Sequence, residues 1–377
     1  MPYENELIKA VQTNDEKGVL NALLKGANVN AVDAYHNVLD IAIKNNNAKI
    51  VKLLFEKGKN KIYQSSLEKG LFNTFQNSNK KEIAQLIVNH MENARVSSQY
   101  NPTFILATIQ LNWPEVLETL IKKNASLEDR DNLGEDVLYY AVHENKPECI
   151  KVLCKYIDDL DRYRNRSKNA LQLAAFFDYD KVFETLLDAG ACLNSTNGSL
   201  LDGIKILAMF STAFLYQPKL SNQNTAFHYA ARSGSTKVLK LIAKKYFDKI
   251  SIDELGTDNK SALTQAVESG EYQTARLLLE YGADPNVMDD IGTPLHAAIR
   301  EQQYGMLDLL FEYGADQRLK GPCGKTPLEY AKYRQENHCY DYSDFIEKLE
   351  YTWEKEASIT TKKPFYRFPK GGRGPRE

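Results

Sequence analysis

Residues 293–299 read Thr293-Pro294-Leu295-His296-Ala297-Ala298-Ile299, and Leu309-Leu310 and Gly314-Ala315-Asp316 follow. Thr293 suits a helix N-cap, because its hydroxyl can accept from an early free amide. Pro294 suits the first helical position, where no backbone N–H is needed. Ala297 and Ala298 are small enough for a neighbouring helix to come close. Met306, Leu307, Leu309 and Leu310 fall at helical spacing and predict a second helix. Gly314 then sits where that helix ends, and glycine tolerates a left-handed cap. Thr326-Pro327 begins the device again.

The same pattern recurs upstream. Leu263 to Ala266 is followed by Leu277-Leu278-Leu279 and Gly282-Ala283-Asp284, and Leu171 to Ala175 by Leu186-Leu187 and Gly190-Ala191. Indexed by first apolar anchor, the copies start at Leu7, Leu39, Phe72, Ile105, Leu138, Leu171, Phe227, Leu263, Leu295 and Leu328. The gaps are 32, 33, 33, 33, 33, 56, 36, 32 and 33 residues, and the gap of 56 is 33 plus one insertion of 23. One helix pair cannot bury its own apolar side, whereas stacked pairs can, so the fold class is an all-α solenoid. The third unit, Phe72 to Met91, rests mainly on spacing. Units three and four lack Thr-Pro and the terminal Gly, carrying Met91 and Asn124 instead, and are expected to be the least regular.

The spacing and the Thr-Pro-Leu-His-x-Ala core resemble the ankyrin repeat family over roughly residues 4–350. The resemblance implies units of helix, tight turn, helix and β-hairpin loop, with the stack filling 1–357. It implies that His228 and His296, at the family's core histidine, are structural. It also implies binding of another protein through hairpin tips and the concave face of the first helices. Carried over by position, those faces hold Lys44 and Asn45; Leu133, Glu135, His143 and Glu144; Asn165, Arg166, Lys168, Phe176 and Phe177; and Arg232, Lys260, Glu268, Arg300, Glu301, Tyr333 and Arg334. The sixth unit stands out. Its tip carries Arg162, Tyr163, Arg164, Arg166 and Lys168, and arginine and aromatic residues dominate binding hot spots. Phe176 and Phe177 lie where most units are polar. With His143, Arg232 and Arg300, these residues form the expected protein-binding set.

Two segments fall outside the repeat. The insertion, about 198–220, is rich in apolar residues and reads as a helix buried against units six and seven, a partner groove or a membrane contact. The tail, 358–377, is Gly- and Pro-rich at its end; residues 361–377 carry six basic and one acidic residue, a net of +5, which leaves −7 of the total −2 on the remainder. Such a tail is a solvated terminus, a sorting signal or a contact for RNA or an acidic membrane.

Composition narrows the rest. With 377 residues, 43% hydrophobic and 26% charged, the chain can build a substantial core. No long uncharged apolar run exists, and the first ten residues do not read as a secretory leader. Balanced charge argues against nucleic acid as the principal partner. Five scattered cysteines fit a reducing compartment such as the cytoplasm, including a host cell's if the chain is a bacterial effector. Asparagine is frequent, with 29 copies, and is read as surface flavour.

The sequence holds little chemistry. There is no Cys-x-x-Cys pair, no His-Glu-x-x-His and no phosphate-cradling Gly-x-x-x-x-Gly-Lys loop. Cys323, His338 and Cys339, with Asp341, are the nearest thing to a nucleophile cluster. An enzyme built on them or on the insertion is the alternative to a scaffold. No catalytic residue, metal, cofactor or small-molecule substrate is expected.

Overall fold

The computed structural model describes residues 2–33, 36–58, 61–76, 78–94, 103–161, 168–195, 224–337 and 340–359. The insertion at 198–220, the tip at 162–167, the pair His338 and Cys339, and the tail beyond 359 lie outside these. The chain forms two compact units, 1–160 and 161–377.

The first unit holds five helix pairs: α1 (Pro2–Gln12) with α2 (Glu16–Leu24), α3 (Val38–Lys44) with α4 (Ala48–Lys57), α5 (Gln64–Thr74) with α6 (Lys81–His90), α7 (Phe104–Gln110) with α8 (Pro114–Lys122), and α9 (Val137–His143) with α10 (Pro147–Leu153). First helices pack on first helices and second on second, as in α1 on α3 and α2 on α4. The second unit holds α11 (Ala170–Phe176) with α12 (Asp180–Asp188), α13 (Ala226–Arg232) with α14 (Thr236–Lys245), α15 (Ala262–Glu268) with α16 (Tyr272–Glu280), α17 (Pro294–Arg300) with α18 (Tyr304–Glu312), and α19 (Pro327–Asn337) with α20 (Ser343–Ile359). The described residues contain no strand. Hairpin tips are marked only by single bridges, Val32 with Asn37, Arg130 with Asp136, and Leu255 with Ser261. Each unit is thus an all-α solenoid.

The anchors build the core as spacing requires. Nearly every first helix buries its anchor, a small residue three positions on, and an aliphatic or small residue after that. Leu39, Ala42 and Ile43 do this in α3, Leu138, Ala141 and Val142 in α9, and Leu295, Ala298 and Ile299 in α17. The small residue lets the next first helix approach.

The third repeat breaks the spacing. Phe72 is only half-buried, whereas Leu67, Gly70 and Leu71 are buried. The true anchor is therefore Leu67, with Gly70 as the small position, and the flanking gaps become 28 and 38 rather than 33 and 33. A Cβ on Gly70 would lie 2.9 Å from Ile43 Cδ1, which is why this long first helix carries glycine there. A short 3-10 turn, Ser78–Lys80, takes up the residues left before α6. The shift also brings Lys69 Nζ to 2.9 Å from the buried Asp40 carboxylate of the preceding repeat.

Helix ends divide differently from the expectation. Gly26, Gly190, Gly282 and Gly314 adopt positive φ as expected, and Asn124 at φ 65° does the same in repeat four. Gly58 does not; its φ of −68° suits any residue. It is glycine because a Cβ would meet Val29 Cγ1 at 2.3 Å and the Leu54 carbonyl at 2.6 Å. At Met91 the backbone is extended, and Lys123 Nζ donates to the Met91 carbonyl (2.7 Å), a cation satisfying a helix C-terminus.

Asparagine is more than surface flavour. The tight turn inside a repeat needs one residue in the left-handed region, and Asn14, Asn46, Asn112 and Asn145 fill it at φ 52–56°. Asn tolerates that conformation better than other side chains.

The last pair closes the second unit. Tyr342 is buried and, on α20, so are Phe345 and Leu349, while Tyr351 and Trp353 remain exposed. The helix runs to Ile359, past the expected start of the tail at 358.

Candidate protein-binding surface

In the second unit α11, α13, α15, α17 and α19 pack in succession. Their C-terminal turns therefore form one row carrying Phe176 and Phe177, Arg232, Glu268, Arg300 and Glu301, and Arg334. Three of these helices are held in register by a buried polar side chain at the position after the anchor. His296 Nε2 donates to the Lys325 carbonyl of the next repeat (3.0 Å), and its Nδ1 accepts the Thr293 N–H (3.1 Å). His228 repeats this with Glu254 and Thr225. Gln172 does the equivalent in α11, accepting from the Asn169 N–H and donating to the Ser195 and Asn224 carbonyls. Burial pulls both imidazoles below their ordinary value, so they work as neutral braces. Both histidines are structural.

At the α11 end Phe176 and Phe177 are 38% and 37% exposed, high for paired phenylalanines. Their rings meet edge-on at 5.3 Å, and Phe177 stacks on Tyr179 at 5.4 Å. Lys168 Nζ lies 4.9 Å from the Phe176 ring centroid and 5.0 Å from that of Tyr229. Burial, and then the charge of Arg232, pull the Lys168 ammonium below the ordinary lysine value. Tyr229 was not legible as a participant, because it sits among core positions of α13.

Further along, charges are already paired. Glu268 accepts from Lys260 (2.9 Å) and from Arg300, whose Nε also donates to Glu301 (2.7 Å). Arg334 donates to the Tyr342 hydroxyl (3.0 Å) and to the Arg300 carbonyl (3.4 Å). Arg300, expected as a contact residue, is thus held by its own repeat stack. A cavity of about 270 Å³ opens on this row, walled by Arg232, Asn224, Gln265 and Glu301 among others. Gln265 is buried and donates to Asn224 Oδ1 (2.7 Å).

The structure brings together Lys168, Phe176, Phe177 and Arg232, with Arg300 at the far end of the row. Arg162, Tyr163, Arg164 and Arg166 lie outside the described residues. His143 belongs to the first unit, half-exposed at the end of α9 and 3.7 Å from the Glu144 carboxylate. Leu133 is 65% exposed at a hairpin tip of that unit, between the bridged Arg130 and Asp136.

No group of three metal-ligating side chains occurs among the described residues, and no described helix is long and apolar enough to cross a membrane. Burial pushes the Cys149 thiol up to about 12 and the Cys154 thiol up to about 11, away from reactivity. Cys323 is exposed, and its supposed neighbours His338 and Cys339 lie outside the described residues.

Comparison with known proteins gives one family. A model of ankyrin repeats matches residues 71–162, 104–197 and 195–289, and a second model of ankyrin repeats matches 278–331. The chain is 26% identical over 344 residues to an ankyrin repeat protein of fowlpox virus, FPV115, covering 88% of this chain and 55% of that one. It is 25% identical over 250 residues to the mimivirus ankyrin repeat protein L371, covering 61% of this chain and 32% of that one. It therefore spans between a third and about half of these viral relatives. Among solved structures, the ankyrin repeat domain of human ASB11 superposes with a TM-score of 0.50 at 18% identity, over 67% of this chain and 97% of that one. That likeness concerns the fold. Domains of this kind are in general modules for protein–protein interaction, and no enzyme family is indicated.

Proposed function

This chain belongs to the ankyrin-repeat family, and on that premise we propose that it is a non-enzymatic scaffold. It binds a partner protein through the first-helix row of residues 168–334. The observation that carries this is the pair Phe176 and Phe177, more than a third exposed at the end of a helix whose other positions are almost all buried. Exposed aromatics beside cations, in a row of rigid helices, supply hot-spot chemistry on a preorganised surface. Lys168 and Arg232 complete the centre of the face. From sequence alone we add Arg162, Tyr163, Arg164 and Arg166, and we assign His143 and Arg300 to its margins. The scattered cysteines support a cytoplasmic setting, and four of them are free thiols.

Crosslinking in lysate followed by mass spectrometry tests the reading. The full chain is compared with Phe176→Ala/Phe177→Ala, a pair exposed enough to leave the fold intact. A partner captured by the wild type and lost with the variant is expected. Partners retained at full yield by the variant move the surface elsewhere, and turnover of a small substrate by the purified chain overturns the scaffold reading.

A further inference from the structure

The first-helix row of the second unit is unevenly charged. The carboxylates that line its cavity, Asp258, Glu268 and Glu301, are engaged by Lys260 or Arg300, and Asp178 beside Phe177 accepts from the backbone N–H groups of Lys237 and Val238. Lys168 and Arg232, at the aromatic end, have no ion pair among the described residues. The rings of Phe176 and Tyr229 support the Lys168 ammonium but leave its charge uncancelled. Arg232 stands exposed and close enough to disfavour the Lys168 charge. Two like charges held together without a counter-charge are a cost to the isolated chain, and an incoming anion removes it.

The adjacent cavity is lined by Arg232 and by polar side chains. At about 270 Å³ the cavity is smaller than the ~300–1,000 Å³ of small-molecule sites. Its walls are polar, and its size suits a side chain with its peptide group.

We propose that this row receives an acidic segment of the partner protein. An Asp or Glu carboxylate of that segment pairs with Arg232 and Lys168, and an apolar residue covers Phe176 and Phe177. One peptide stretch then satisfies the unpaired cations and the exposed rings. This rests on the scaffold reading and narrows it to a partner chemistry.

The test selects random peptides on the purified full chain and measures the enriched ones by fluorescence anisotropy. Enriched peptides are expected to carry Asp or Glu beside an apolar residue. Binding should weaken steeply between ~50 and ~200 mM salt. Replacing the peptide's acidic residues by their amides should cost about tenfold or more, a comparison that needs no protein variant. Lys168→Gln/Arg232→Gln should lose a similar factor, while Lys168→Arg retains binding. Enrichment of neutral or basic peptides, or equal affinity for the acid and amide forms, overturns the proposal. The two readings fail separately. A partner lost with Phe176→Ala/Phe177→Ala, beside peptides without acidic bias, keeps the scaffold and removes the acidic segment. Acidic peptides bound through Lys168 and Arg232, beside a captured partner indifferent to the face, keep the acid chemistry and remove the scaffold surface.

Discussion

The third and ninth repeats reach the same packing from opposite directions. In the ninth, Thr293 and Pro294 start the helix, His296 braces it to the next repeat, and Gly314 ends its partner helix. Every local signal falls where the buried anchor Leu295 needs it. In the third, no side chain caps α5, its first residue follows Tyr63, and the next helix begins after a 3-10 turn. Only the triplet Leu67, Gly70 and Leu71 keeps the contact pattern. What every repeat shares is the apolar anchor with a small residue three positions later. Caps and the 33-residue period accompany that contact without enforcing it, so a helix can slide when the contact itself is kept.

The sharpest way to break this comparison is to truncate both supposed anchors. Leu67→Ala and Leu295→Ala should each cost about 2–5 kcal/mol, because both remove fully buried aliphatic groups. Phe72→Ala should cost less than Leu67→Ala, since that side chain is only partly buried. Urea unfolding followed by circular dichroism reads all three. A larger loss at Phe72 than at Leu67 would restore the regular spacing and remove the shifted register.

That register marks how far the sequence was legible. Eight of the ten anchors are buried as read, because an apolar residue and a small one three positions on recur at each, while Leu328 is only half-buried. The third was misplaced by five residues because spacing was used where the triplet should have been. For the binding surface, position within the repeat brought Phe176, Phe177, Lys168 and Arg232 into view. It could not show that Arg300 is tied to Glu268, since such pairs depend on which repeats become neighbours. Nor could it single out Gln265 or Asn224, whose buried hydrogen bond joins two successive repeats.

The ninth repeat has something the third lacks, a neutral imidazole brace. His296→Ala should cost about 1–3 kcal/mol by leaving the Thr293 N–H and Lys325 carbonyl without partners. His296→Gln should cost less, because Gln172 performs the same task in α11. The pH dependence has a definite sign. Burial lowers the folded-state values of His228 and His296, so in the mildly acidic range the unfolded chain binds more protons. Their contribution is complete above the unfolded value near ~6.5 and is lost as pH falls below it. His228→Gln/His296→Gln should flatten the decline of melting temperature between neutral pH and about pH 5. An unchanged decline would mean that other groups set it.

Glycine separates the regions more gently. Gly58→Ala should destabilise by about 1–3 kcal/mol through overpacking against Val29 and the Leu54 carbonyl, despite its ordinary backbone. Gly282→Ala meets nothing within 4 Å and should cost about 1 kcal/mol, from its φ of +94° alone. If the two costs exchange rank, conformational freedom rather than close approach explains Gly58.

The smallest expected effect concerns the turn shared by regular and irregular repeats alike. Asn46 occupies the left-handed region at φ 53°, Gln302 at φ 57°, and Gly270 fills the same turn in the eighth repeat at φ 75°. A left-handed residue with a Cβ is strained by about 1–2 kcal/mol, less for asparagine, whose short amide can bond locally. Glycine removes the strain but loses about 0.5–1 kcal/mol to unfolded-state freedom. These nearly cancel for Asn46→Gly, so melting should stay within about 0.5 kcal/mol of wild type. Gln302→Gly should instead stabilise slightly, because glutamine has less local relief to give up. Destabilisation at both sites would mean that the side chains hold the turn through contacts of their own, and that asparagine is there for bonding rather than for its backbone tolerance.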